Sequence, residues 1–332
     1  MEVKGTRKVD KSILERSIYA LGLLEALARV GMPFIFKGGT SLLLLLESPM
    51  RLSTDIDIVV EPGLDFEHYL VEASQILPFK KMEEQKRKSV GSIEKRHYKF
   101  TYFSPAFGHD FYILLDILFS ENHYTKTVQK PIMCPLINTE DPYIDVTVPT
   151  VECILGDKLT AFAPHTTGIP FGVGKEMEII KQMYDISCLF DIAEDFSEIR
   201  DTYLATAKAE ISYRGSDISY RDSLWDTIDT AACIAGRGLV GEDYPLLLSG
   251  MKAIIEHIFD RRFSAELAVV RSCKVMYVAA CVLTNTPTRR INDFDSYMNT
   301  PIPIPKYGKL SRIRKLTLEG YAYAVEALNL IK

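Results

Sequence analysis

The sequence predicts an α/β (α+β) lobe with a mixed sheet over residues 1–125, followed by a mostly helical lobe over residues 126–332. Two observations lead to this division. Over the first lobe, helical periods alternate with short apolar runs that are typical of strands. Beyond residue 149, apolar positions follow helical spacing and strand signals become rare. The chain of 332 residues is long enough for two such lobes.

Local patterns predict each element of the first lobe. Ser12 and Glu15 have the spacing of a capping box, which predicts a helix over 12–30. The turn residues Pro105–Gly108 predict a hairpin of strands over 96–103 and 111–119. The other elements expected are strands over 34–36 and 56–60, a helical turn over 41–46 and a helix over 65–77. The helical lobe is expected to begin with helices over 150–162 and 175–193.

The composition, with 47% hydrophobic and 25% charged residues, is that of a soluble globular protein. The polar N-terminus lacks the apolar core of a signal peptide, and no apolar run is long enough to predict a membrane span. The six cysteines include no C-x-x-C pair, so we expect reduced thiols and no zinc site. These features predict a cytoplasmic protein without a membrane partner.

Three carboxylates stand at or within apolar strands. Asp55 and Asp57 have the spacing that places both side chains on one face of a strand. Asp116 lies inside another apolar strand, where an unpaired buried charge is unfavourable. Like charges this close favour a cation between them, and oxygen ligands suit Mg²⁺. The alternative for Asp116 is a solvent-facing position at a sheet edge.

A double glycine links the first short strand to a helical turn. Gly38 and Gly39 permit positive φ and close approach of the backbone to a phosphate, while Thr40 and Ser41 offer hydroxyl groups. The Walker A pattern is absent. The glycine turn and the D-x-D pair are each weak signals alone. Together they predict phosphate donors beside a metal site.

The motifs FKGGTSL and RLSTDIDIVV resemble the AbiEii/AbiGii toxin family within the polymerase-β-like nucleotidyltransferase superfamily. The matching positions are Gly38, Gly39 and Thr40 in the glycine turn, Arg51, Ser53, Asp55 and Asp57 in the R-x-S-x-D-I-D block, and Asp116 as the third acid. The resemblance covers roughly residues 30–195.

Two later segments also resemble family motifs. ECILGDKLTAF corresponds to a helix with a characteristic lysine, here Lys158, and KQMYDISCLF to a block that ends with an acid, here Asp185. Lys181 takes the basic position of that block, and Gln182 replaces its first acid. Without the resemblance, Lys158 would be taken for a surface lysine and Asp185 for a partner of Lys181 one turn earlier.

The resemblance implies transfer of a nucleoside monophosphate from a nucleoside triphosphate (NTP) to an acceptor hydroxyl. Asp55, Asp57 and Asp116 would hold one or two Mg²⁺ ions, with Asp116 as an alternative base, and Lys158 and Asp185 would complete the catalytic set. The nucleotide-binding residues implied are Lys37, Gly38, Gly39, Thr40, Ser41, Arg51, Ser53 and Lys158.

The resemblance further implies an abortive-infection toxin of a type IV toxin–antitoxin pair, with a DNA-binding antitoxin as partner. Some relatives modify the 3′ end of tRNA. Lys80–Lys99 and Pro301–Leu316 contain eight and five Lys or Arg, respectively, in a chain of net charge −5. These segments are either solvated faces or contacts to an RNA acceptor.

Three other functions stay open at this point. A small-molecule nucleotidyltransferase of the antibiotic-modifying type would share the same core. A glycosyltransferase would use Asp55 and Asp57 in a nucleotide-sugar fold, with the pair near a loop. A non-catalytic nucleotide-binding relative would keep the fold without the reaction.

Overall fold

The computed structural model describes residues 10–77, 79–86, 94–215, 217–259 and 263–332. Two compact units divide the chain: the first comprises Met1–Thr150 and Glu256–Phe259, and the second Val151–Ile255 and Asp260–Lys332. Residues 1–9, on which the expectation of no signal peptide rests, lie outside the described residues. So do residues 87–93 of the first basic segment.

The first unit is built on a mixed five-stranded sheet. Its helices are α1 (Lys11–Arg29), α2 (Gly38–Leu45) and α3 (Glu67–Ile76), and its strands are β1 (Ile35–Lys37), β2 (Ile56–Val60), β3 (Phe79–Glu84), β4 (Lys95–Phe103), β5 (Asp110–Phe119), β6 (Thr127–Pro131) and β7 (Asp145–Pro149). The sheet order is β1-β2-β5-β4-β3, in which only β2 and β5 are parallel neighbours. The predicted α/β lobe with a mixed sheet is confirmed.

The two faces of this sheet differ in burial. Tyr98 and Phe100 of β4 and Leu115 of β5 are buried in the apolar core to which α1 contributes. Strand residues alternate between faces, so the residues between these point the other way. That opposite face carries His97 and Asp116, both only partly buried. The polar groups therefore lie on the face turned away from the core.

The start of α1 differs from the prediction. The side chain of Asp10 caps the helix by accepting hydrogen bonds from the backbone N–H groups of Ser12 (2.8 Å) and Ile13 (3.1 Å). A further hydrogen bond from the Ser12 hydroxyl lowers the pKa of Asp10. The predicted capping box is wrong because Glu15 is fully buried and accepts a hydrogen bond from Ser104 Oγ at 2.5 Å.

The boundary of the first unit also differs from the predicted residue 125. The β6–β7 hairpin follows that position, and β7 contacts β1, so the first unit continues to Thr150. A later segment returns to this unit through backbone contacts. Phe259 N–H donates to Met50 O at 2.9 Å, and Ile258 forms an isolated bridge with Arg51.

The second unit has no strand among its described residues. Its helices are α4 (Val151–Ala161), α5 (Glu176–Phe190), α6 (Phe196–Arg214), α7 (Tyr220–Ala235), α8 (Tyr244–Ala253), α9 (Ala265–Thr284) and α10 (Leu318–Leu330), with a 3-10 helix over Pro305–Lys315. By length and composition α9 could cross a membrane, but 83% of its apolar window is buried inside the protein. Its contacts with α7 and α10 identify α9 as a core helix of this unit.

Candidate active site

One row of polar residues crosses four strands of the five-stranded sheet. Asp57 of β2 is the cross-strand partner of Lys37 in β1 and of Asp116 in β5, and Asp116 is in turn the partner of His97 in β4. Direct cross-strand partners share one face of a sheet. The row Lys37–Asp57–Asp116–His97 therefore places two carboxylates side by side between two basic residues.

The row brings together two of the three predicted acids directly. Asp55 immediately precedes β2 and, with side-chain exposure of 48%, is more accessible than Asp116 at 32%. Arg16 Nη2 of α1 lies 3.9 Å from Asp55 Oδ1, and Thr54 Oγ1 donates to the same oxygen at 3.5 Å. The solvent-facing edge position considered for Asp116 is wrong, because β5 is paired on both sides.

His97 is a functional candidate that the sequence reading missed. Its Nδ1 lies 2.7 Å from Asp116 Oδ1, and its side chain is only 17% exposed. A signal for this contact was available in the sequence. A symmetric hairpin centred on Pro105–Gly108 pairs residues whose numbers add to a constant, and this rule places His97 opposite Asp116.

The double glycine packs against the acidic strand. Gly38 has φ +75°, and a Cβ added there would overlap the carboxylate of Asp57. Gly39 has an ordinary φ, but an added Cβ would overlap the guanidinium of Arg51. Only glycine therefore allows this turn to approach both side chains. The expected positive φ is found at Gly38 alone.

The two hydroxyl residues of the turn are fully buried. Thr40 Oγ1 donates to the backbone oxygen of Asp55 at 2.5 Å, and Ser41 Oγ donates to that of Gly38 at 2.9 Å. Each hydroxyl has one proton and already donates it. In this structure the two side chains fix the turn to the start of the acidic strand, and their contact with a phosphate stays a prediction.

The remaining nucleotide-site candidates of the first unit lie close to this turn. Arg51 is buried, and its Nη1 donates to Leu52 O at 3.2 Å. The backbone oxygen of Ser53 accepts a hydrogen bond from Ser17 Oγ of α1 at 2.9 Å. Lys37 Nζ lies 5.7 Å from the ring centroid of Tyr124. The Ser17–Ser53 hydrogen bond ties the segment between α2 and β2 to α1.

Lys158 and Asp185 form a buried ion pair within the second unit. Lys158 Nζ lies 2.8 Å from Asp185 Oδ2, and their side chains are 7% and 3% exposed. Lys158 Nζ also donates to Gln182 Oε1 at 3.1 Å, while Lys181 pairs with Glu178 at 2.8 Å. A surface Lys158 and an Asp185–Lys181 pair are therefore both wrong. Participation of Lys158 and Asp185 in the nucleotide site stays a prediction.

The carboxylates of the acidic strands are the donors available to a metal ion. Within the described part of the chain, no group of three or more His, Cys, Asp or Glu side chains is arranged to hold a metal ion. Asp57 and Asp116 are nevertheless adjacent on one sheet face, and Asp55 precedes the same strand. Hard carboxylate oxygens of this kind fit Mg²⁺. Convergence of all three carboxylates on one ion stays a prediction.

Several solved structures are similar to this chain. JHP933 from Helicobacter pylori has 12% identity and a TM-score of 0.46, covering 84% of this chain and 94% of its own. A proposed nucleotidyltransferase from Helicobacter pylori has 12% identity and a TM-score of 0.49, covering 83% and 97%. An antigenic nucleotidyltransferase-like protein from Paracoccidioides brasiliensis has 14% identity and a TM-score of 0.38, covering 62% and 91%. At these values, none of the three assigns an activity to this chain.

Sequence comparison gives a more specific result. No curated protein matches the chain significantly. The family model described as "Nucleotidyl transferase AbiEii toxin, Type IV TA system" matches residues 22–263, which include the glycine turn, the acidic strands and the Lys158–Asp185 pair. Because this match covers more than half of the sequence, the chain belongs to the AbiEii family of nucleotidyl transferase toxins.

Proposed function

We propose that this nucleotidyltransferase moves a nucleoside monophosphate from an NTP to a hydroxyl group of an RNA, with tRNA 3′ ends as the first candidates. The main observation in support of this proposal is the row Lys37–Asp57–Asp116–His97. It combines two adjacent carboxylates with a glycine turn whose backbone reaches Asp57. This is the arrangement that phosphoryl transfer requires, with donors for phosphates beside acids that face the reacting hydroxyl.

Magnesium dependence is part of the proposal. Asp55, Asp57 and Asp116 would hold the ion, which when bound neutralises phosphate charge and makes the attacking hydroxyl more acidic. The chain's own groups supply the rest. The backbone N–H groups of Gly38 and Gly39 bind phosphate oxygens, and His97 orients the Asp116 carboxylate through their 2.7 Å contact.

A small-molecule acceptor is the second candidate, and ion pairs that engage three cations of the basic segments favour it. Lys80 pairs with Asp110 at 2.6 Å, Arg96 with Glu84 at 2.5 Å and Lys306 with Asp229 at 2.7 Å. Cations paired in this way attract a polyanion less strongly. Arg87, another cation of the first basic segment, lies outside the described residues. An acceptor RNA therefore needs cations that are not engaged in such pairs.

The cellular setting is also proposed. The family description names a type IV toxin–antitoxin system, so we propose a DNA-binding antitoxin as the cognate regulator and abortive infection as the context. A cytoplasmic location agrees with this setting, because NTPs and tRNA are found there. None of the six cysteines forms a disulfide, as expected for that compartment.

The decisive experiment incubates the full chain with each labelled NTP, Mg²⁺ and total RNA. We expect label from one or more NTPs to enter RNA, and the Asp57→Asn variant to abolish incorporation. The same mixture without RNA and with small hydroxylated acceptors tests the second candidate. Absence of label in every acceptor, with NTP binding intact, would support the non-catalytic relative and contradict transfer.

A further inference from the structure

We propose that Arg16, Lys99 and Tyr112 form a binding site for a backbone phosphate of a single-stranded RNA acceptor. This inference rests on the proposed transfer to RNA and states where that strand binds. The three residues come from α1, β4 and β5, respectively, and meet at the Tyr112 ring.

Tyr112 lies on the same face of the sheet as the acidic row. It precedes Asp116 by four residues on β5, so both side chains point to one side, about 13 Å apart along the strand. Its ring is accessible from solvent, because Tyr112 is 41% exposed. An exposed tyrosine next to a reaction site offers a ring on which a base or ribose can stack.

Two cations flank this ring. Lys99 Nζ lies 4.5 Å and Arg16 Cζ 5.7 Å from the Tyr112 ring centroid. The acid nearest to Lys99 in register is Glu83, which instead forms an ion pair with Lys81 at 2.7 Å. Within the described ranges, Lys99 forms no ion pair with a carboxylate. Its charge is therefore available to an anion.

Arg16 connects this site to the acids. Its Nη2 lies 3.9 Å from Asp55 Oδ1, and both side chains are partly exposed, so this pair is weak. A guanidinium can still bind phosphate oxygens through its other N–H groups. Arg16 therefore lies within reach of both Asp55 and the Tyr112 ring.

The positions of Lys99 and Tyr112 favour a polynucleotide over a small-molecule acceptor. The glycine turn is on the β1 side of Asp57, whereas Lys99 belongs to β4 on the far side of β5. An anion bound at the Tyr112 ring while its hydroxyl reacts at Asp116 must carry a phosphate about 13 Å from that hydroxyl, which is the spacing of the two residues along β5. A polynucleotide strand meets this requirement, and a compact antibiotic does not.

The test compares Lys99→Ala with Lys208→Ala, a matched loss of one positive charge at an exposed position of α6. Binding of a single-stranded RNA oligonucleotide to the full chain is followed by fluorescence anisotropy over a range of salt concentrations, and NTP binding by calorimetry. We expect Lys99→Ala to bind RNA about tenfold more weakly. Its log–log salt slope should be shallower by roughly 0.7. Lys208→Ala should match the wild type, and NTP affinity should be the same in all three proteins.

Three outcomes overturn this proposal: wild-type protein that does not bind the RNA, equal RNA affinity of Lys99→Ala and wild type, or an equal loss of NTP affinity. The last would assign Lys99 to the donor triphosphate. Binding is measured without turnover, so failure of the proposed transfer is detected separately, as wild-type protein that binds RNA but adds no label to it.

Discussion

Replacement of Gly38 by alanine tests whether the glycine turn positions Asp57. Gly38 has φ +75°, and left-handed backbone costs an alanine about 1–2 kcal/mol. The added Cβ would also overlap the Asp57 carboxylate, so the turn and β2 must move apart. Gly31 is a matched control because its φ is +74° and nothing lies within 4 Å of an added Cβ. The two variants share the backbone cost and differ in the contact.

We expect Gly31→Ala to lower the free energy of unfolding by about 1–2 kcal/mol, as measured by urea denaturation, and Gly38→Ala to lower it further. In the labelled-NTP assay, Gly31→Ala should retain wild-type transfer per folded molecule. Gly38→Ala should lower transfer about 100-fold, since a displacement of about 1 Å at a reacting group has this effect. Equal transfer by the two variants would refute a positioning role for the contact between Gly38 and Asp57.

Three further variants test other contacts. Lys158→Met removes the cation that pairs with the buried Asp185 carboxylate and should cost about 3–5 kcal/mol in urea denaturation, whereas a loss below about 1 kcal/mol would contradict a buried pair. His97→Ala should lower transfer about tenfold or more by releasing Asp116, with the urea midpoint nearly unchanged; wild-type turnover would exclude this role. Burial raises the pKa of Asp226 above 3.8, so its contribution to stability is full below that pH and is lost as pH rises through the raised pKa. Asp226→Asn should lack this loss in denaturation series from about pH 3.8 to neutrality, and parallel profiles for the two proteins would contradict it.

Local sequence patterns predicted many elements of the first unit. The alternation of apolar and acidic residues around Asp57 predicted the strand, since a strand's side chains alternate strictly. The hairpin around Pro105–Gly108 followed from turn residues. The register of the same hairpin places His97 opposite Asp116. Predicting this contact requires the two strands to be paired, because neither strand pattern alone specifies it.

Local sequence patterns did not predict the contacts between distant segments. The parallel pairing of β2 with β5, which makes Asp57 and Asp116 neighbours, joins strands separated by more than 50 residues, and no local signal specifies it. The β6–β7 hairpin was missed for a related reason, because β7 is held partly by its contact with β1. The overlap between an added Cβ at Gly38 and the Asp57 carboxylate likewise depends on tertiary packing.

The buried Lys158 of the second unit has few N–H groups left to donate to a ligand. An ammonium has three, and Lys158 directs one toward Asp185 and one toward Gln182. Among the described residues these are its only polar partners, so an anion that leaves both in place meets a single remaining N–H. The neutral amide of Gln182 also leaves the lysine and one carboxylate with zero net charge, whereas an acid at that position would make the group anionic. The side chains of Lys158, Asp185 and Gln182 therefore carry one negative charge fewer than the same three positions would with an acid at 182.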